Sequence, residues 1–398
     1  MNSHYDIAIV GAGLVGASVA LALKNSGLRV LLIDAHAANP KDSRLFALNI
    51  SSVNFLEQLG VWQLVSEHAS AIKQIHVSKR KRFGVLRLSA HDVGLDQLGY
   101  MMPARFLEAA LLHLLNDASY LDYHRPMSLL SLKEHDQHVQ LSVQQGEGIR
   151  EITAHYVLGA DGTQSTVRHC MGFATTEKNY HETAIVTELL AGHDHQNIAY
   201  ERFYEGGVLA MLPLCNQHLA MILTAPHDNA KDLLALKNDD FVEHIQQLIG
   251  NRLGRLQIMK PRASYPLHSL LAKRAASKRV LLLGNAAHTV HPVAAQGFNL
   301  ALYEVAVLLD CMQDLKSGVM QGLDFTHIEA QFAKQQTMSI NASSRISAIL
   351  QKPTFLSQIL LQLGMGILET QGFLKKSFLN ALLGRWGNVP RLMAEKVS

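Results

Sequence analysis

Gly11, Gly13 and Gly16 stand at the spacing Gly-x-Gly-x-x-Gly, between the apolar run Ile7-Ala8-Ile9-Val10 and a helix-like run from Ala17 to Leu23. A strand-to-helix turn built this way suits one task, cradling a pyrophosphate. Gly11 permits the tight turn, Gly13 lets the backbone approach the phosphates, and Gly16 lets the helix pack closely on the strand. The first amides of the helix then face the anion. A second apolar run, Val30-Leu31-Leu32-Ile33, ends in Asp34, an acid placed to accept hydrogen bonds from a ribose. No second Gly-x-Gly-x-x-Gly occurs in the chain. That leaves two readings open, a simple nicotinamide dehydrogenase or a flavoprotein with one dinucleotide-binding unit.

Two later motifs bear on the choice. Gly159-Ala160-Asp161-Gly162 follows the strand-like Tyr156-Val157-Leu158, and Gly284-Asn285-Ala286-Ala287-His288 follows the apolar run Val280 to Leu283. The latter motif continues through Pro292 to Gln296-Gly297-Phe298-Asn299. His288 and His291 have i,i+3 spacing, but no acid or cysteine stands beside them to complete a metal site. We therefore expect no metal.

The elements that must position these motifs follow from periodicity. Ser51 to Leu59 and Pro103 to Leu115 read as helices, the second with Leu107, Leu111 and Leu114 on one stripe. Ile75 to Val77, Val85 to Leu88 and Val139 to Val143 read as strands. Between Tyr180 and Pro266, four strand-like runs and a helix at 239–249 predict an inserted antiparallel sheet. The expected fold is α/β: a Rossmann-like dinucleotide-binding domain from residues 1–72, 98–179 and 265–340, and a substrate-binding sheet domain from 73–97 and 180–264. A C-terminal helical segment would cover 341–398. Its runs Phe355 to Leu363 and Phe373 to Leu383 are amphipathic, beside Lys375, Lys376 and Arg385. They suit either packing on the core or a partner chain, or contact with a lipid surface.

Composition bounds the rest. The 398 residues are 48% hydrophobic and 17% charged, which is ordinary for a globular protein, and the net charge of +3 is too small to argue for nucleic acid. Three scattered cysteines give neither a disulfide framework nor a zinc site, and with no signal peptide evident they fit a cytoplasmic setting. No run reaches the roughly 18 apolar residues needed to span a bilayer.

Taken together, the three glycine motifs resemble those of the single-component flavoprotein aromatic hydroxylases, whose fold is that of para-hydroxybenzoate hydroxylase. Leu59-Gly60-Val61-Trp62, Ala199-Tyr200-Glu201-Arg202-Phe203, Leu209 to Pro213, Arg262 to Leu267 and Pro390-Arg391-Leu392 narrow the resemblance to the ubiquinone-biosynthesis branch. Asn285 and the stretch His291-Pro292 to Leu300 are most similar to the 2-octaprenyl-6-methoxyphenol hydroxylase family. The resemblance implies FAD as cofactor, reduced by a reduced nicotinamide or another electron donor, with O2 as co-substrate and a polyprenylated phenol as the molecule hydroxylated.

It further implies that Gly11, Gly13, Leu14, Val15 and Gly16 meet the phosphates and Asp34 the ribose. Arg44 and Arg105 would lie along the cofactor, with Met127 near the adenine. Asp161 and Gly162 would close the site, while Gly284 and Asn285 hold the ribityl chain and pyrophosphate. Pro292, Gln296, Gly297 and Asn299 would face the flavin ring, where helix N-terminal amides stabilise the negative charge of reduced flavin. No catalytic side chain is implied. The partners implied are other ubiquinone-biosynthesis proteins and a peripheral membrane contact, and a homo-oligomer is compatible with the sequence.

Four residues, at three places, depart from the family. Pro103 stands where Glu is usual, Ala295 where Gly is usual, and Tyr303-Glu304 where Arg-Asp is usual. A methyl at Ala295 would crowd the flavin, and loss of the Arg-Asp pair is expected to remove polar partners from the helix behind it. These departures support the alternative, a non-catalytic scaffold or lipid-binding subunit that keeps the fold.

Overall fold

The computed structural model describes residues 4–37, 44–80, 85–116, 120–289, 297–314, 323–333, 336, 366, 369–385 and 389–394. His291, Pro292, Ala295, Gln296 and the run Phe355 to Leu363 lie outside these residues.

Apolar runs without alternation make strands buried on both faces, and these form the heart of the first sheet. β1 (His4–Val10) pairs in parallel with β2 (Val30–Ile33) on one side and with β11 (Gly148–Gly159) on the other. β8 (Leu121–His124) extends the sheet beyond β2, and β18 (Val280–Leu282) pairs in parallel with the end of β11. The first half of β11 pairs antiparallel with β10 (Val139–Gln145), which pairs with β9 (Ser128–Glu134). One face of this sheet buries Ile7, Ile9 and Leu32 against α1 (Leu14–Ala22), α2 (Ile50–Gln58), α3 (Trp62–Val65), α4 (Ala104–Asn116) and α8 (Gly297–Asp314). The other face buries Tyr5, Ala8 and Leu31 against β9, β10 and Val167 of α5 (Thr166–Cys170).

The second sheet has nine strands. β12 (Thr175–Leu190), β15 (His218–Pro226), β14 (Gly207–Pro213) and β13 (Ile198–Tyr204) run antiparallel in that order. β5 (Gln74–Lys79) joins β13 in parallel and carries β6 (Val85–Ser89) at the edge. Beyond β12 lie β16 (Gln257–Ile258), β17 (Ala263–Ala272) and β19 (His288–Thr289). On its outer face Leu209, Met211 and Met221 pack on α7 (Asn238–Ile249), with α6 (His227–Ala235) beside it. A small sheet of β3 (Leu45–Asn49), β7 (Gly99–Pro103) and β4 (Ser70–Ile72) joins the two large ones, because Ile72 and Met101 pack on Ala199, Leu212 and Ala220.

Three local expectations shift. The first helix begins at Leu14 rather than Ala17, directly after the turn. Pro103 ends β7 instead of opening α4, since it pairs with Leu45 in the ladder. β17 escaped the sequence pattern because Pro266 interrupts its alternation, yet the strand pairs with β12 along its length.

Near the carboxyl end, α9 (Gly372–Leu382) is split in character. Leu379 and Leu383 are buried against Leu86, Leu88 and Leu98, while Phe373 is 84% exposed and Leu374 and Phe378 also face out. Met393 enters the main core beside α2 and α8. Part of the C-terminal segment therefore belongs to the core. Among the described residues, no helix is long and apolar enough to cross a membrane.

Candidate functional site

All three glycine motifs sit at the carboxyl ends of parallel strands, β1, β11 and β18, the edge where open α/β sheets bind ligands. Each is held by its neighbours. Gly11 takes φ +101°, and a Cβ there would lie 2.5 Å from the Ala160 carbonyl oxygen. At Gly16 a Cβ would lie 1.9 Å from the Gly11 carbonyl oxygen, so both glycines are demanded by the chain's own close approach. Gly13 differs: a Cβ there meets nothing within 4 Å. Its glycine serves no internal contact and opens a space above the start of α1, whose first turn has no side-chain cap. Such a cradle fits a pyrophosphate. Leu14 and Val15 form the first turn of the helix below it.

Asp34 follows β2 and is buried. Its Oδ2 accepts from the Ala12 amide at 2.7 Å, and its Oδ1 accepts from the His36 amide at 2.8 Å. A carboxylate has about four lone-pair sites, so it anchors the glycine turn with capacity to spare. Met127 donates its amide to the Asp34 carbonyl at 2.7 Å, and its side chain is buried in the core. The Ala104 amide donates to the Arg44 carbonyl at 2.9 Å, which ties Arg44 to the residue preceding Arg105. Both arginines are exposed.

The second motif is stapled to the third. Arg168 donates to the Thr163 carbonyl at 2.7 Å and to the Ala286 carbonyl at 2.8 Å. Asp161 Oδ2 accepts from the Val167 amide, while its buried Oδ1 has no partner among the described residues. An unpaired buried carboxylate oxygen is costly, which fits a ligand hydroxyl or a water arriving there. Gly162 has φ +79° and open space beyond its Cα. Gly284 packs against Val15 and Ala301, which brings the third motif onto α1 and α8. The neighbouring Asn285 side chain is exposed at this turn.

Gly297 opens α8, and Asn299 uses its side-chain amide on β3. It donates to the Ala47 carbonyl at 2.8 Å and accepts from the Asn49 amide at 3.0 Å. Asn299 thus ties the start of α8 to the strand that packs on the second sheet.

The expectation that Tyr303-Glu304 strips α8 of polar partners is corrected here. Glu304 is fully buried, and its carboxylate accepts from the Gly284 amide at 2.9 Å, from His288 Nε2 at 2.5 Å and from Gln336 Nε2 at 2.5 Å. A glutamate reaches from the helix to the loop and fixes the third motif in place. His288 is a partner of this carboxylate. No sequence signal joined residues sixteen positions apart across a turn.

The chain also has relatives with named activities. The chain matches the FAD binding domain family over residues 4–339. It belongs to that family. It is 30% identical over 393 residues to the ubiquinone hydroxylase UbiL of Rhodospirillum rubrum, covering 95% of this chain and 89% of the relative. It is 29% identical over 325 residues to the 3-demethoxyubiquinol 3-hydroxylase of Escherichia coli, covering 79% and 81%. In fold it is similar to the p-nitrophenol 4-monooxygenase PnpA of Pseudomonas putida, with a TM-score of 0.80, 15% identity and coverage of 97% and 100%. The chain is therefore a flavoprotein monooxygenase that depends on FAD.

Away from the cradle, the outer face of the second sheet gathers positive charge. Arg252 Nη1 lies 3.1 Å from His76 Nδ1, and burial together with Arg252, Arg87 and Arg202 pushes the His76 pKa down to about 4. The unfolded value is near 6.5, so between these limits the unfolded chain binds the extra proton. His76's contribution to stability is complete above about pH 6.5 and is lost as pH falls towards 4. We expect His76→Gln to remove on the order of 2 kcal/mol of the acid-side loss after discounting for solvent screening. Urea midpoints at pH 7 and pH 4.5 measure this. An unchanged drop in the variant would show that His76 carries none of it.

Proposed function

We propose that this FAD-dependent enzyme hydroxylates the ring of a polyprenylated phenol in ubiquinone synthesis, with 2-octaprenyl-6-methoxyphenol as the substrate favoured by the sequence. The observation that carries this is the relationship to a ubiquinone hydroxylase over 95% of the chain, including both large sheets. Bound FAD, once reduced by a nicotinamide or other donor, supplies the oxygen-activating chemistry. The first sheet with its helices would hold the cofactor and the second sheet the substrate. Gly11, Gly13, Leu14, Val15 and Gly16 would form the phosphate cradle, with Asp34 at the ribose. Asp161, Gly162, Gly284 and Asn285 would close on the rest, and Gly297 would start the helix whose amides face the ring.

An apolar substrate suits the wall opposite. Ala199, Leu212 and Ala220 of the second sheet pack towards β3, whose Ala47 carbonyl is held by Asn299. Such a wall can exclude water while accepting a prenyl chain. The chain's lipid contact would be made by the exposed Phe373, Leu374 and Phe378 of α9 with Lys376. Lys375 is not available to headgroups, because it pairs with Asp92 at 2.9 Å. The scaffold alternative loses the support it drew from Tyr303-Glu304, since Glu304 supplies the missing carboxylate.

Cells lacking the gene test the reading. They are expected to accumulate a polyprenylated phenol short of one ring hydroxyl, and to regain ubiquinone when the gene is restored. Normal ubiquinone with no accumulated phenol would reject the pathway assignment.

A further inference from the structure

On the reading above, we propose that Glu201 is the base that takes the proton from the substrate's phenolic hydroxyl as the ring is hydroxylated. The residue lies in the middle of β13, and strand alternation fixes its side. Tyr200 and Tyr204 pack outward with the α7 cluster, whereas Ala199, two positions before Glu201, packs inward on Ile72 and Met101. Glu201 therefore shares the face of Ala199, Leu212 and Ala220, the face turned to β3 and the helix start anchored by Asn299. Its cross-strand neighbours are Val77 and Ala210, so the carboxyl stands alone in an apolar row.

That isolation is unusual. Among the described residues the Glu201 carboxyl has no hydrogen-bond or ion-pair partner, in contrast to the Glu304 carboxylate at the third motif. A carboxylate buried without a partner costs stability. Burial alone raises its pKa. Lys79 stands two residues beyond Val77 on the same face of β5, and no charged group shifts the Glu201 pKa. The residue as a whole keeps some accessible surface. A carboxyl made more basic by burial, on the face turned to β3 and the start of α8, is suited to accept a proton.

The step balances. The phenolic O–H bond breaks, its electron pair stays on oxygen and feeds the ring, and the proton ends on a Glu201 oxygen. The activated ring carbon then bonds to one atom of O2, whose O–O bond breaks in the monooxygenase reaction, the other atom leaving as water on two electrons from the reductant. When the ring regains aromaticity its C–H proton goes to water, and Glu201 returns its proton to the ring oxygen.

Glu201→Gln keeps shape and removes the base, while Glu201→Asp keeps the base and moves it. FAD affinity is measured first by fluorescence titration, then turnover of a short-chain prenylated phenol in detergent micelles across pH 5 to 10. The Gln variant is expected to bind FAD as the parent does, with KM little changed and kcat down about 100-fold at pH 7. The acid limb of the parent's log kcat profile should vanish, with rate returning as pH approaches the phenol's own pKa. The Asp variant should keep an acid limb at reduced rate. A Gln variant within threefold of the parent at every pH overturns the proposal while leaving the functional reading intact. Loss of FAD from the Gln variant, with the Asp variant keeping the parent's rate and profile, makes Glu201 structural and overturns it too. A parent enzyme that hydroxylates no prenylated phenol sinks both.

Discussion

Gly13→Val is expected to give a folded protein that no longer holds FAD. A side chain at this position meets nothing in the chain itself, so the fold has no reason to fail. The isopropyl group would instead fill the space over the first turn of α1, where the proposed site would bring the pyrophosphate to the backbone. We expect affinity to fall at least about 100-fold, roughly 3 kcal/mol. The neighbouring glycines provide the contrast. Gly16→Val drives a Cβ to 1.9 Å from the Gly11 carbonyl oxygen, and that variant should fail to fold at all. Circular dichroism and a flavin titration on both variants separate the outcomes. A Gly13→Val protein as yellow as the parent would show that the cradle is not the phosphate site.

Glu304→Ala should be among the most destabilising single changes in the chain. It leaves the Gly284 amide, His288 Nε2 and the Gln336 amide facing a buried void with no acceptor. Each stranded donor costs about 1–3 kcal/mol, so we expect a loss on the order of 4 kcal/mol and a disordered third motif with weakened FAD binding. Glu304→Asp, which keeps the charge on a shorter arm, should recover part of both. Urea unfolding of the three proteins measures the effect. An alanine variant with the parent's midpoint would mean the carboxylate network contributes little.

The parts of the fold readable in advance were those in which one residue pattern has one physical solution. Ile7 to Val10 and Val30 to Ile33 could only be buried strands, and the glycine spacing between them could only be a tight strand-to-helix turn. The stapling of the motifs was not readable. Arg168 reaches the Ala286 carbonyl across more than a hundred residues, and Glu304 gathers three donors from two separate segments. Such pairings depend on tertiary geometry. Glu304 shows the point well: read against a family pattern it looked like a loss, whereas its longer side chain supplies a carboxylate to the loop. Glu201 was legible only as part of a resemblance. Its isolation emerged once β13 was placed between β5 and β14.

On the proposed reading, this chain inserts one atom of molecular oxygen into the ring of a prenylated phenol. The most direct measurement incubates the FAD-loaded protein with a reductant, the phenol and isotopically heavy O2, followed by mass spectrometry of the product. One heavy oxygen atom on the aromatic ring is the expected result. A product oxidised without heavy oxygen, or a phenol recovered unchanged while the flavin cycles, would contradict it.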